Sequence, residues 1–495
     1  MLLINKICFV LSLSLIFCSA IKAQQIEVKG QVDADYLMEI VTELASKEYA
    51  GRLPGSDGFN LAATYVANKF KKYKIKSVER DSFFQYFNVE HNHIKSPLKL
   101  EFVDKKDKRK PYKPGSDFVC RGFTGQGVYT ADVVFCGYGI SLPKHKYDDY
   151  AGVDVKGKVV MIFKENPSWK HIIDWPTIYP RYKAMIAASY GAVGVLLVSA
   201  PANSRNTKPI GSIATGPIAQ HNNETTSMHI SPEVAADLLK PSKYTLKELQ
   251  SIIDTTKKPF SLDLGTKVYT EVHTEYTNQK PTMNIIGVIQ GNDPILKEEY
   301  LLIGAHLDHV GSQGDELYFP GANDNASGVA AVLQMAKLFS ENKEHLKRSV
   351  VFILFSNEEQ GLYGSWHYVK NPLFPLEKTV AMLNLDCIAH GDSIQIGNGK
   401  SAPVLWQLAK DIDKRQQNLT VERTWSGGGA DATPFFDMNI PALYFVTTNS
   451  YTHLHLPTDK PETLNKNLFK NITQLAYETA WQIATGNYQK EKNIR

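Results

Sequence analysis

The chain is poor in cysteine. It has five in 495 residues, and two of them, Cys8 and Cys18, fall in an N-terminal stretch unlike the rest. Cys120, Cys136 and Cys387 are too few for a disulfide framework, so apolar cores must hold the fold. Cys120 and Cys136 have two open fates, a bridge in an oxidising compartment or two buried thiols. An excess of one charge is also lacking. The formal net charge of +4 is too small to argue for nucleic acid or an anionic membrane surface. Beyond the N-terminus no run approaches the roughly 20 apolar residues that a membrane span requires. Internal repeats and low-complexity tracts are absent. With 43% hydrophobic residues spread along the chain, disorder is unsupported. The zinc-helix signature His-Glu-x-x-His is missing, which excludes that class of protease.

What is present begins with a leader. Lys6 gives a positive start, an apolar run covers residues 7–19, and Ile21-Lys22-Ala23 closes the segment before Gln24. This is the shape of a secretory signal peptide over residues 1–23, cleaved after Ala23. The expected location is secreted or periplasmic, with no integral membrane segment left after cleavage. The run is short for a membrane anchor. A lipoprotein form, lipidated at Cys18, ranks second, because Phe17 stands where a small residue is wanted.

The length exceeds what one core usually supports. Tyr36, Leu37, Ile40, Val41 and Leu44 have helical spacing, as do Ala62, Ala63, Val66, Ala67 and Phe70. The polar turn 51–58 separates them. From Gly127 onward strands with glycine turns take over, at 131–139, 159–163 and 193–198, with a helix over 183–190. This texture predicts a smaller β-rich domain over residues 127–270. It is inserted between two parts of a catalytic domain, 24–126 and 271–490. In the last part, apolar runs at 284–289, 300–305, 350–355, 380–385 and 442–446 alternate with helical segments such as 327–339. That pattern predicts an α/β fold with a mixed, mostly parallel sheet sandwiched by helices.

Several of these strands end in acids or histidines. His306 and Asp308 follow the run 300–305, Glu358 and Glu359 follow 350–355, and Asp386 follows 380–385. Ligands gather at the carboxyl ends of strands in open α/β sheets. A buried charge is costly unless it is paired or bound to a metal. Clustered acids at such positions therefore call for a cation. The small-residue turn 321–328 presents Asp324 ahead of a helix that Asn325 or Ser327 can cap. Its carboxylate has two oxygens and can bridge two ions. A last histidine comes from the loop 451–459, which holds both His453 and His455. Mixed His, Asp and Glu ligands suit zinc better than calcium or magnesium. Two metals roughly 3.5–4 Å apart can polarise a carbonyl and yield a hydroxide nucleophile near neutral pH. Glu358 and Glu359 could divide the work, one binding metal and the other moving a proton.

These motifs resemble a known family. His306-x-Asp308, Gly321-Ala322-Asn323-Asp324-Asn325-Ala326-Ser327-Gly328, Glu358-Glu359-x-Gly361-Leu362-x-Gly364-Ser365, Asn384-Leu385-Asp386 and His455-x-Pro457-x-Asp459 look like the co-catalytic zinc aminopeptidases of metallopeptidase family 28. Gly51-Arg52-Leu53-Pro54-Gly55-Ser56 extends the likeness toward the start. Residues 131–198 are similar to the protease-associated (PA) domain often inserted in these enzymes. The resemblance implies the zinc exopeptidase fold (phosphorylase/hydrolase-like) with two Zn2+ per chain. It places one zinc on His306, Asp324 and Asp386, and the other on Asp324, Glu359 and His455. Glu358 becomes the general base and then acid, working with a bridging hydroxide. Asp308 orients His306, and the Asp324–Asn325 peptide is cis. The implied activity is that of a secreted aminopeptidase acting on peptide or protein N-termini.

Three rivals share the scaffold: a carboxypeptidase or dipeptidase, a glutaminyl cyclotransferase, and a non-catalytic receptor-like binding protein. The last predicts missing ligands, and none is missing. Two positions depart from relatives. Leu454 stands where some carry a tyrosine that stabilises the tetrahedral intermediate, which makes Tyr451 a substitute. Ala430-Asp431-Ala432 replaces a common Ser-Asp-His. Among the other residues, His455 is preferred to His453 on the Pro457 and Asp459 spacing. His309 is expected to line the pocket or back a ligand. His91 and His93 are expected in a solvated loop, Asp148 and Asp149 at the surface, and Ser365 at a helix start.

Overall fold

The apolar runs of the last third form the centre of a large sheet. They are the strands Tyr300–His306, Ser349–Phe355, Thr379–Leu385 and Ala442–Thr447. All four run parallel, in the spatial order 442–447, 379–385, 300–306, 349–355. Ile394–Gly397 closes one edge antiparallel, and the end of strand Ser261–Ile289 continues antiparallel beyond 349–355. The computed structural model describes residues 27–78, 82–169, 177–202, 207–213 and 221–493. The expected signal peptide lies outside them. No helix among the described residues is long and apolar enough to cross a membrane.

Strand alternation sends Leu301, Ile303 and Ala305 into one core and Leu302 into another. Helices Ala34–Leu44, Asp57–Lys72, Ser327–Glu341 and Lys466–Ala484 contribute to the first core. Helices Tyr363–Lys370 and Ala432–Asp437 contribute to the second. Both faces are covered, which is why these strands are apolar throughout. The result is the mixed, mostly parallel sheet between helices that the periodicity predicts. The first two helices form for local reasons as well. The side chains of Asp33 and Ser56 cap their N-termini, and Lys69, Lys71 and Lys72 occupy the last turn of the second, where its dipole favours cations. The turn between them needs Gly51: its φ is +70°, and a Cβ there would lie 2.2 Å from the Gly311 carbonyl oxygen.

A second half of the sheet hangs from two long strands. Ser261–Ile289 has 29 residues, far more than its apolar end at 284–289 suggests. It pairs antiparallel with Phe84–Val103, and its first part also pairs with Gly127–Cys136. The sheet continues in parallel through Val159–Phe163, Gly194–Val198 and Thr226–Ile230, then antiparallel to Phe118–Cys120. A separate apolar core surrounds these strands. It runs from Ile94 to Val272 and so draws on Leu100, Phe118 and Cys120, ahead of residue 127.

Two expectations change here, and one open choice resolves. His91 and His93 lie within strand Phe84–Val103, and His91 Nδ1 sits 2.8 Å from the Pro54 carbonyl oxygen. Asp149 is buried rather than on the surface, where its carboxylate accepts the N–H groups of Tyr138 and Ile140. Polarity alone did not reveal that this acid closes a turn from inside. Cys120 and Cys136 are free, buried thiols.

Candidate metal centre

The carboxyl ends of the parallel strands deliver His306, Glu358, Glu359 and Asp386 to one side of the sheet. The turn 321–328 brings Asp324 to the same place, and the loop after Ser450–His453 brings His455. Two groups of ligand atoms result. One holds His306, Asp324 and Asp386, the other His309, Asp324, Glu359 and His455; within each, the atoms lie within 4.8 Å of one another. Asp324 belongs to both. His306 Nε2 is 3.3 Å from Asp324 Oδ1 and 3.3 Å from Asp386 Oδ1. His455 Nε2 is 3.3 Å from Asp324 Oδ2 and 2.8 Å from Glu359 Oε2. His453 points elsewhere: its Nδ1 is 2.9 Å from Thr458 Oγ1, and its ring packs on His390.

Other side chains fix this arrangement. Asp459 accepts the N–H groups of Asn323 and Asp324, at 2.9 and 3.1 Å, and so holds the turn that presents Asp324. The Asp324–Asn325 peptide is cis. Asn325 Oδ1 accepts the N–H of Gly328 at 2.9 Å and caps the following helix. Asp308 touches His306 Nδ1 through its backbone carbonyl, at 3.1 Å. Its carboxylate is 3.7 Å from that nitrogen and instead accepts the N–H groups of Glu358 and Glu359. Arg52 is fully buried and donates to the carbonyls of Leu44, Leu307, Pro320 and Gly321. Ser365, in the first turn of the helix Tyr363–Lys370, donates to the buried Asp431.

Seven carboxyl groups thus crowd one place: Asp308, Asp324, Glu358, Glu359, Asp386, Asp431 and Asp459. Burial pushes Asp308, Asp431 and Asp459 up to about 7. Burial, reinforced by Glu359, Asp431 and Asp386, also holds Glu358 well above the usual range, against the pull of His306. Two acids go the other way. Burial opposes the ionisation of Asp324, but hydrogen bonds from His306 and His455 keep it well below its ordinary value. Burial opposes ionisation of Glu359 as well, yet His455 and His309 hold it down to about 2. Burial pushes His309 down, toward the neutral imidazole that can ligate a metal. So Asp324 and Glu359 are held in the ionised form that can ligate, and Glu358, outside both groups, is poised to carry a proton. Imidazole and carboxylate together are a zinc-type donor set. The residues present fit two cations that share Asp324.

Residues 284–480 match the profile of Peptidase family M28, a stretch that contains both ligand groups. Residues 284–480 are a Peptidase family M28 domain. Among curated relatives, the chain is 27% identical over 232 residues to the aminopeptidase YwaD of Bacillus subtilis (strain 168), covering 44% of this chain and 48% of that one. It is 26% identical over 220 residues to a glutamate carboxypeptidase 2 homolog of Caenorhabditis elegans, covering 38% and 27%. The chain spans less than half the length of these curated relatives. A solved zinc aminopeptidase from Bacillus subtilis superposes with a TM-score of 0.64 at 19% identity, over 94% of this chain and 98% of that one. That likeness concerns the fold.

The M28 domain also contains two residues whose part only the folded chain reveals. Asp431 is buried beside the site, with one carboxylate oxygen that has no hydrogen-bond partner among the described residues. His309 joins the second ligand group rather than merely lining a pocket. Its position three residues after His306 was the only signal. Tyr451 reaches the Asp386 side, where its hydroxyl lies 3.1 Å from that of Tyr444.

Proposed function

We propose that this protein is a zinc-dependent aminopeptidase that binds two Zn2+ per chain and hydrolyses the peptide bond after an N-terminal residue. The observation that carries this reading is the pair of ligand groups sharing Asp324. Zinc bound there supplies Lewis-acid chemistry to a carbonyl and to water. The chain's own residues supply the rest. Glu358, with its raised proton affinity, takes a proton from water and returns it to the leaving amine. Asp308 fixes Glu358 and Glu359 through their N–H groups, so base and ligand keep one spacing. Asp459 and Arg52 fix the turn that carries Asp324. The Tyr451 hydroxyl, beside that of Tyr444 on the Asp386 side, would meet the developing oxyanion.

The proposal extends to the rest of the chain. Residues 127–270 are taken as a PA domain, and residues 1–23 as a cleaved leader that sends the protein out of the cytoplasm. The inserted half reaches the site itself: the Gly211 N–H donates to the carbonyl of His455 at 2.8 Å. A carboxypeptidase is the second reading, favoured by the similarity to the C. elegans carboxypeptidase homolog. Purified protein lacking residues 1–23 should release nitroaniline from aminoacyl-4-nitroanilides, lose this with a chelator and regain it with zinc. Activity confined to N-acylated substrates cleaved at the C-terminus would replace the first reading with the second.

A further inference from the structure

The two ligand groups are unequal. The group around His306 has three side chains, while the group around His455 has four, and the fourth is His309. His309 Nδ1 lies 2.9 Å from Glu359 Oε1 and 3.7 Å from Asp324 Oδ2. His455 meets the same two carboxylates, 2.8 Å from Glu359 Oε2 and 3.3 Å from Asp324 Oδ2, so both imidazoles converge on one pair of acids, with one ligand atom of each of the four residues within 4.8 Å of the others. Ligands about 2.0–2.1 Å from a central zinc stand roughly 3.3 Å from one another.

The rest of the His309 ring has no other engagement. It is fully buried, its Nε2 has no hydrogen-bond partner among the described residues, and its side-chain polar contact there runs through the nitrogen that faces Glu359 and Asp324. Its backbone N–H donates to the Arg52 carbonyl, and its ring meets His455 edge-on at 5.5 Å. The fold therefore holds Nδ1 at this point rather than letting the side chain choose it.

We propose that His309 is a protein ligand, which makes the site of Asp324, Glu359 and His455 a four-ligand site. This rests on the two-metal reading above. Four protein ligands close a zinc site, whereas three leave a position free. The two sites then differ in task. The His455 site retains its metal and holds Asp324 in place, and the His306 site is the one left open to water and substrate.

The test counts imidazoles. X-ray absorption on the full-length, two-zinc wild-type protein should give three histidine ligands for every two zincs, where His306 and His455 alone would give two. In His309→Ala the count should drop to two, and the more tightly held zinc should bind at least 100-fold more weakly in a chelator competition. His309→Gln, which preserves side-chain bulk, guards against a folding defect and should behave the same way. Two imidazoles per two zincs in the wild type, or an unchanged tighter zinc in both variants, would overturn the assignment while leaving the two-metal site intact. A chain that binds no zinc would overturn both.

Discussion

Arg52 offers a direct test of how the centre is held. Its guanidinium donates to four carbonyl oxygens at 2.7 to 2.9 Å: Leu44, Leu307, Pro320 and Gly321. These end the first helix, precede Asp308, and open the turn that carries Asp324. Arg52→Met keeps an unbranched apolar stem but removes every donor. Each buried acceptor left unpaired costs about 1–3 kcal/mol. Burial already disfavours the guanidinium, lowering it to about 10 against the pull of Asp324, Asp459 and Asp308, and losing that penalty offsets part of the damage. We therefore take the low end, about 1 kcal/mol for each of the four carbonyls, or about 4 kcal/mol in total. Unfolding entropy is about 2.1 cal/mol/K per residue, so a catalytic unit of roughly 300 residues shifts its midpoint by about 1.6 °C per kcal/mol. The expected drop is about 6 °C. It is best measured by calorimetry on chelated protein, so that zinc loss does not enter. Arg52→Lys retains three donors without the planar fork and should fall between the two. If Arg52→Met melts within about 1 °C of wild type without metal, the four bonds do not hold these segments together.

Further outcomes follow from the same geometry. Glu358→Gln should keep both zincs by elemental analysis and lose about 10²–10⁴-fold in kcat. Asp459→Asn has one oxygen left for two N–H groups, so zinc affinity should weaken about 10–100-fold in chelator competition. Tyr451→Phe should lower kcat by about 10²-fold with little change in KM if its hydroxyl meets the oxyanion; an unchanged kcat would exclude it. Acidity should act oppositely on the two metal states. Asp308, Asp431 and Asp459 have folded values near 7, above the unfolded value of 3.8. An acid raised on folding contributes stability that is fully present below its unfolded value and is lost as pH rises through the folded one. The metal-free protein should therefore lose stability from about pH 4 to 7. Zinc binding strengthens over the same range because ligands must shed protons. The melting gap between zinc-loaded and chelated protein should widen steadily from pH 5 to 7. A constant gap would show that these acids do not titrate as their burial dictates.

The strands and the side chains that gather at the candidate site were legible for one reason: both are written locally. A buried parallel strand must be apolar throughout, so 300–305, 350–355, 380–385 and 442–446 announce themselves, and an acid directly after such a run stands out. The long strand Ser261–Ile289 was not legible, because most of it is half exposed and alternates like ordinary polar chain. Asp149 misled for a related reason, since an acid that satisfies two backbone N–H groups from inside a turn looks like a surface acid in sequence. His453 and His455 could be ranked by spacing, but only the fold turns one toward Thr458 and His390 and the other toward Glu359.

What stayed hidden concerns residues that act on other residues. Asp308 was expected to orient His306. The folded chain gives that contact to the carbonyl and gives the carboxylate to the N–H groups of Glu358 and Glu359. Spacing along a chain identifies which side chains can reach a metal, because ligands must converge on one point. It does not say which backbone groups a neighbouring carboxylate will accept, because those are set by how separate strand ends meet. Arg52 and Asp459 belong to the same class: each was visible as a letter in a short motif, and each acquires its part only when segments hundreds of residues apart close around it. His309 lies between the classes. Its spacing from His306 is that of a residue just past a strand end, and burial against Glu359 and Asp324 turns that residue into a fourth donor. The asymmetry of the two sites is therefore a property of the loop after residue 306, and it can be altered there without touching the residues that carry the proton.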